Sequence, residues 1–143
     1  MEKEVRILVV DDEEIVRNSW VDWLREDGYH VEAAENGLKG LEMIKERPWD
    51  VAMVDLKMPK MDGLELLEKA KAINPEMHVI IITAYATVHT AVQAIKMGAY
   101  DYLIKPCEPE EISMLLKGAT RVYRRFPSDR IDRGHLTYLY RQC

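Results

Sequence analysis

The stretch Val51-Ala52-Met53-Val54-Asp55-Leu56-Lys57-Met58-Pro59-Lys60-Met61-Asp62-Gly63 decides how the rest of the chain is read. Its first four residues are apolar, a run short enough for a strand buried on both faces. The apolar run stops at a carboxylate, Asp55. Pro59 and Gly63 then break regular structure, and a helical pattern begins at Leu64. An acid at the C-terminal end of a buried strand is costly unless it points into the crevice at the sheet edge, where open α/β sheets bind their ligands. Taken alone, Asp55 fits a turn cap equally well, because Asp is common in turns.

Working outward, the same rhythm recurs. Residues 5–10 predict a first strand ending in Asp11-Asp12-Glu13-Glu14, and the spacing of Ile15, Val16, Trp20, Trp23 and Leu24 predicts a helix over 14–26. The acids at its start suit the positive end of the helix dipole. Trp20 and Trp23 read as packing or partner-facing residues rather than a cofactor stack, since large aromatics are usually placed by burial. Residues 29–34 predict a second strand, followed by a helix through Leu38, Leu41, Met43 and Ile44 that Pro48 stops. After the Asp55 strand and its helix come a fourth strand at 78–83, a helix over about 87–97 ended by Gly98, and a short fifth strand at 101–104 closed by Lys105-Pro106. The last helix begins near Pro109, a favoured first-turn residue, and runs toward Tyr123. Strand and helix thus alternate five times, which implies an α/β fold: a parallel sheet with helices on both faces and right-handed crossovers.

The 143 residues fit one domain, with no internal repeat and no second domain in the pattern. The formal net charge of -5 argues against nonspecific binding to nucleic acid or anionic membrane. That charge is uneven: residues 1–117 hold 14 Lys+Arg against 23 Asp+Glu, whereas residues 118–143 hold 6 Arg against 2 Asp. The expected division is therefore a domain over 1–119 and a basic C-terminal tail or linker over 120–143. The start is charged and lacks the apolar core of a signal peptide, and the longest apolar runs are too short to span a bilayer. A cytoplasmic location is expected, with Cys107 and Cys143 as free thiols.

In a parallel sheet all C-terminal strand ends lie on one edge. That edge would collect Asp11 and Asp12 from the first strand, Asp55 from the third, Thr83 from the fourth and Lys105 from the fifth. Gathered carboxylates repel and raise one another's pKa. A hard divalent cation relieves the repulsion, and Mg²⁺ suits a site of few carboxylates completed by water and phosphate oxygens. Metal, ammonium and hydroxyl together are what a transferring phosphoryl group needs, with a carboxylate as nucleophile. Each residue alone has a local role available, as a cap or an ordinary surface lysine. The conjunction at successive strand ends is what points to chemistry.

These residues carry a family resemblance. Val9-Val10-Asp11-Asp12-Glu13, Asp55-Leu56-Lys57-Met58-Pro59 with Asp62-Gly63, Thr83-Ala84, and Tyr102-Leu103-Ile104-Lys105-Pro106 resemble the motifs of bacterial two-component response regulator receiver domains, over about residues 4–118. The segments Thr83–Val88 and Gly98–Leu103 are similar to receivers of nitrogen-regulation-type transcription activators. The resemblance implies a flavodoxin-like (βα)5 three-layer sandwich with sheet order 2-1-3-4-5. It implies that Asp55 accepts a phosphoryl group from the phosphohistidine of a sensor histidine kinase. It also implies Mg²⁺ on Asp11, Asp12, Asp55 and the backbone carbonyl of Lys57, Lys105 on the phosphoryl oxygens, and a switch through Thr83 and Tyr102.

Other classes sharing the fold fit less well. A flavodoxin-like cofactor binder or a nucleotide hydrolase needs a glycine- or hydroxyl-rich first loop, where Asp11-Asp12-Glu13-Glu14 would repel phosphate. An aspartyl phosphatase would usually carry a second Asp where Lys57 stands. Two further alternatives stay open: an interaction module that works without phosphorylation, and the truncated regulatory domain of a larger transcription activator. The expected output surface comprises the 87–97 helix, the fifth strand and the last helix. It would bind a partner or a second copy, with Lys96 or Arg121 meeting Asp101 or Glu111 across a two-fold axis. Lys57 and Tyr85, two residues beyond Asp55 and Thr83, are both expected to overhang the site, with Tyr85 obstructing water.

Overall fold

The computed structural model of the protein describes residues 4–122. The apolar runs become β1 (Arg6–Val10), β2 (His30–Ala34), β3 (Val51–Val54), β4 (His78–Thr83) and β5 (Asp101–Ile104). The amphipathic stretches become α1 (Glu14–Glu26), α2 (Gly37–Glu46), α3 (Gly63–Ile73), α4 (Val88–Lys96) and α5 (Pro109–Lys117). All strand pairs are parallel, in the order β2-β1-β3-β4-β5, the flavodoxin-like order expected. Helical backbone runs toward Tyr123 as the pattern predicts, but after Lys117 it loosens into a π-helical turn over Gly118–Val122. Tyr123 and the greater part of the expected basic tail, 123–143, lie outside the described residues.

Side chains alternate across the sheet with period two, which splits the core. On one face Leu8, Val10, Ala52, Val54, Val79, Ile81 and Tyr102 pack with Met43 and Ile44 of α2, Leu66 and Leu67 of α3, and Ala94 of α4. On the other, Ile7, Val9, Met53, Ile80, Ile82 and Leu103 pack with Leu24 of α1 and Ile112, Leu115 and Leu116 of α5. Burial of one such side chain contributes about 1.5–3 kcal/mol. Trp20 and Trp23, half-buried against this second layer, meet edge to face at 6.1 Å, as their reading as packing residues anticipated.

The loop after β3 is tight for reasons visible in its residues. The Asp62 side chain caps α3 by accepting from Glu65 N–H at 2.9 Å, and Gly63 N–H donates to Leu56 O at 2.7 Å. A Cβ on Gly63 would lie 2.5 Å from the Asp55 carbonyl oxygen. Only glycine lets α3 begin so close to the end of β3.

One expected surface charge is not on the surface. Asp101 is fully buried and sits on the same sheet face as Leu103, so it cannot meet a charge on a second copy. Glu111 is half-buried and its carboxylate accepts from Glu108 N–H at 3.1 Å, while the Arg121 side chain lies outside the described residues. The α4 helix is also more exposed than expected. Besides polar His89, Gln93 and Lys96, it presents apolar Val88, Val92 and Ile95 to solvent.

Candidate functional site

Backbone hydrogen bonds carry the sheet one residue past each relevant strand. Asp11 N–H donates to Ala34 O at 3.2 Å, Asp55 N–H to Val10 O at 2.9 Å, and Lys105 N–H to Thr83 O at 2.9 Å. With Val10 registered to Val54 and Thr83 to Ile104, the strand ends are level. The expected residues therefore share one edge.

Asp11, Asp12 and Asp55 each offer a carboxylate oxygen within 4.8 Å of the others. Asp11 and Asp55 are buried and Asp12 is exposed. Lys105 Nζ donates to Asp11 Oδ2 at 2.9 Å and stands 3.7 Å from Asp55 Oδ2. Asp11 Oδ1 accepts from Glu13 N–H at 2.9 Å. Asp55 Oδ1 is buried and has no hydrogen-bond partner among the described residues.

The electrostatics follow. Burial pushes the Asp55 carboxyl up to about 6; Lys105 opposes the shift, and Asp11 and Asp12 add to it. Burial alone would lower Lys105, but its hydrogen bond to Asp11 and its attraction to Asp11, Asp55 and Glu13 outweigh that and hold it raised. A charged ammonium is thus shared among more carboxylates than it can neutralise. An all-oxygen donor set with an unpaired buried oxygen fits a small, hard divalent cation.

Thr83 is fully buried at the same edge, where its Oγ1 accepts from Tyr85 N–H at 2.9 Å. Tyr102 is buried on the α4 side of the sheet, its hydroxyl 2.7 Å from Thr90 Oγ1. Lys57, in the loop after β3, places its ammonium 4.4 Å from the centre of the Tyr85 ring. Sequence reasoning did not place three residues beside the site, although it had read one of them, Trp20, as a packing residue. Arg17 donates to the Asp11 carbonyl at 2.9 Å, Trp20 lines a small crevice with Asp11, Asp55 and Lys105, and Thr90 holds Tyr102. Only Thr90 left a local signal, as the third residue after the Thr87 cap with which it forms a reciprocal capping box.

Comparison with known proteins places this geometry. The model of the response regulator receiver domain matches residues 7–117. The transcriptional regulatory protein ZraR of Klebsiella oxytoca is 44% identical over 117 residues, covering 82% of this chain and 26% of ZraR. The crystal structure of a CheY-like response regulator receiver domain protein from Methanospirillum hungatei JF-1 is 34% identical with a TM-score of 0.83, covering 86% of this chain and 98% of that one. The solution structure of the beryllofluoride-activated NtrC4 receiver domain dimer is 40% identical with a TM-score of 0.78, covering 82% of this chain and 98% of that one. The chain spans about a quarter of the length of the curated relatives it matches.

Proposed function

Because the chain belongs to the response regulator receiver domain family, and most resembles the receivers of nitrogen-regulation-type activators, we propose that Asp55 accepts a phosphoryl group from a sensor histidine kinase. The observation that carries this is the unpaired, buried Oδ1 of Asp55 beside a lysine already committed to Asp11. An oxygen with no hydrogen bond is free to attack. A bond forms from Oδ1 to phosphorus as the phosphorus–nitrogen bond to the kinase histidine breaks, its electron pair returning to the ring nitrogen. Mg²⁺, held by Asp11, Asp12, Asp55 and the Lys57 carbonyl, would neutralise charge on the transferring group. Lys105, 3.7 Å from Asp55 Oδ2, would pair with a phosphoryl oxygen once Asp55 carries the acyl phosphate. The Thr83 hydroxyl would leave Tyr85 N–H to bond the phosphate, and Tyr102 would change rotamer with it.

In this reading the domain covers 1–119, acts in the cytoplasm, and changes the α4–β5–α5 surface when phosphorylated. That surface then engages a partner or a second copy; the NtrC4 receiver of known structure is a dimer. Among the described residues no helix is long and apolar enough to cross a membrane. The small share of ZraR that is covered favours a second reading of the output: the domain regulates a longer transcription activator rather than binding nucleic acid itself. Borohydride reduction of an acyl phosphate tests the assignment, since it converts a modified aspartate to homoserine. Homoserine at position 55 after treatment with phosphorylated kinase supports it; homoserine elsewhere, or none, contradicts it.

A further inference from the structure

The Lys57 side chain bridges two loops. Lys57 stands two residues beyond Asp55 and Tyr85 two beyond Thr83, and the ammonium lies 4.4 Å from the ring centre. Both side chains are exposed. A cation–π contact at an exposed position favours the closed arrangement by only roughly two- to fivefold. It is a resting place that a stronger partner can take over.

Such a partner arises when Asp55 is phosphorylated. Asp11, Asp12 and an acyl phosphate together carry about four negative charges. A divalent cation and Lys105 return about three. About one negative charge is left at the strand edge that carries Asp55, two residues before Lys57. The four-carbon stem of a lysine lets its ammonium swing between neighbours at little cost.

We propose that Lys57 is a second phosphoryl-binding cation, parked on the Tyr85 ring until Asp55 is modified and then transferred to the phosphoryl oxygens. The exchange has a consequence for Tyr85. Once the ammonium leaves, the ring loses its tether to the loop after β3 and is free to follow the β4–α4 segment that carries Thr83. One residue therefore senses the phosphoryl group on one side and releases the output segment on the other. The inference rests on the phosphoacceptor reading of Asp55.

The test is nuclear magnetic resonance of the Lys57 εCH₂ group, assigned by its loss in Lys57→Gln, with beryllofluoride and Mg²⁺ as the probe. In the free protein the ring current should hold these protons upfield of the other lysines, and Tyr85→Leu should remove the displacement. Adding the probe should remove it in the wild type as well. Lys57→Gln should bind beryllofluoride several-fold more weakly, whereas Tyr85→Leu, whose ammonium is already free, should bind at least as tightly as wild type. Fluorine spectra of wild type and Asp55→Asn report separately whether the probe sits on Asp55. If it does not, the phosphoacceptor reading fails and this inference with it. If it does, and either the lysine protons stay upfield or Lys57→Gln binds as tightly as wild type, the transfer alone is overturned.

Discussion

The hydroxyl of Tyr102 and Oγ1 of Thr90 lie 2.7 Å apart and tie the edge strand β5 to the first turn of α4. Thr90 also completes the capping box with Thr87, so one threonine holds both the helix start and the buried tyrosine. Tyr102→Phe should cost about 1 kcal/mol of stability. Thr90→Val should cost more, because it loses the cap and strands the tyrosine hydroxyl. Chemical denaturation of both single variants and the double variant checks this. The double variant should cost less than the two singles combined, and strict additivity would show that the two hydroxyls do not act as a pair.

Gly63 sets the distance between β3 and α3. A Cβ there meets the Asp55 carbonyl oxygen at 2.5 Å and Leu56 Cα at 2.8 Å, and neither backbone atom can move without shifting Asp55. Gly63→Ala should destabilise the domain by about 1–3 kcal/mol and slow phosphorylation of what remains folded. Thermal denaturation and a phosphorylation time course measure the two effects.

Burial pushes the Asp101 carboxyl from 3.8 up to about 7, opposed by the Tyr102 N–H that it accepts. Its folded pKa is raised, so the folded state binds the proton more tightly. The associated stability is complete below about 3.8 and is lost as pH rises through about 7. Asp101→Asn removes that dependence. Between about pH 5 and about pH 8 the wild type should lose more stability than the variant; denaturant titrations at the two pH values give the comparison. Asp55 is raised as well but is common to both proteins and cancels.

On α4, Lys96 lies beside apolar Val92 and Ile95, all exposed. If α4–β5–α5 joins two copies, beryllofluoride should raise the sedimenting mass of the wild type and not of Lys96→Glu. No change in wild-type mass, together with unaltered amide exchange over residues 84–118, would remove this surface as the output.

Tyr85 is 60% exposed, and its ring carries the Lys57 ammonium. Replacing it with alanine should open the site to water and shorten the phosphorylated half-life severalfold. A decay assay reads the result directly.

How far the sequence reveals this molecule depends on whether a residue's role is local. Asp11, Asp55, Thr83 and Lys105 each end an apolar run, so strand periodicity alone places them on one edge. Val54 and Ile81 fix the sheet because nothing polar interrupts them. Asp101 misleads: it begins a strand, where an acid is ordinarily solvated, but alternation turns it into the α1–α5 layer. The Lys57–Tyr85 contact joins residues 28 apart, but each stands two residues beyond an edge residue, Asp55 or Thr83, and that shared spacing brings both toward one edge; the Thr90–Tyr102 contact has no such spacing to announce it. At Lys117 the α-helix gives way to a π-helical turn, and Ala119, still buried on the core, keeps that turn packed where the apolar spacing weakens.

The central claim is that Asp55 is a metal-dependent phosphoacceptor, and intact mass tests it most directly. The protein is incubated with a small phosphodonor, with Mg²⁺ or with chelator, as wild type, Asp55→Asn and Asp12→Ala. The wild type should gain the mass of one phosphoryl group only with Mg²⁺, Asp55→Asn should gain none, and Asp12→Ala, whose side chain is exposed, should stay folded yet need far more Mg²⁺. Equal gain in wild type and Asp55→Asn, or gain that chelator does not prevent, would contradict the account.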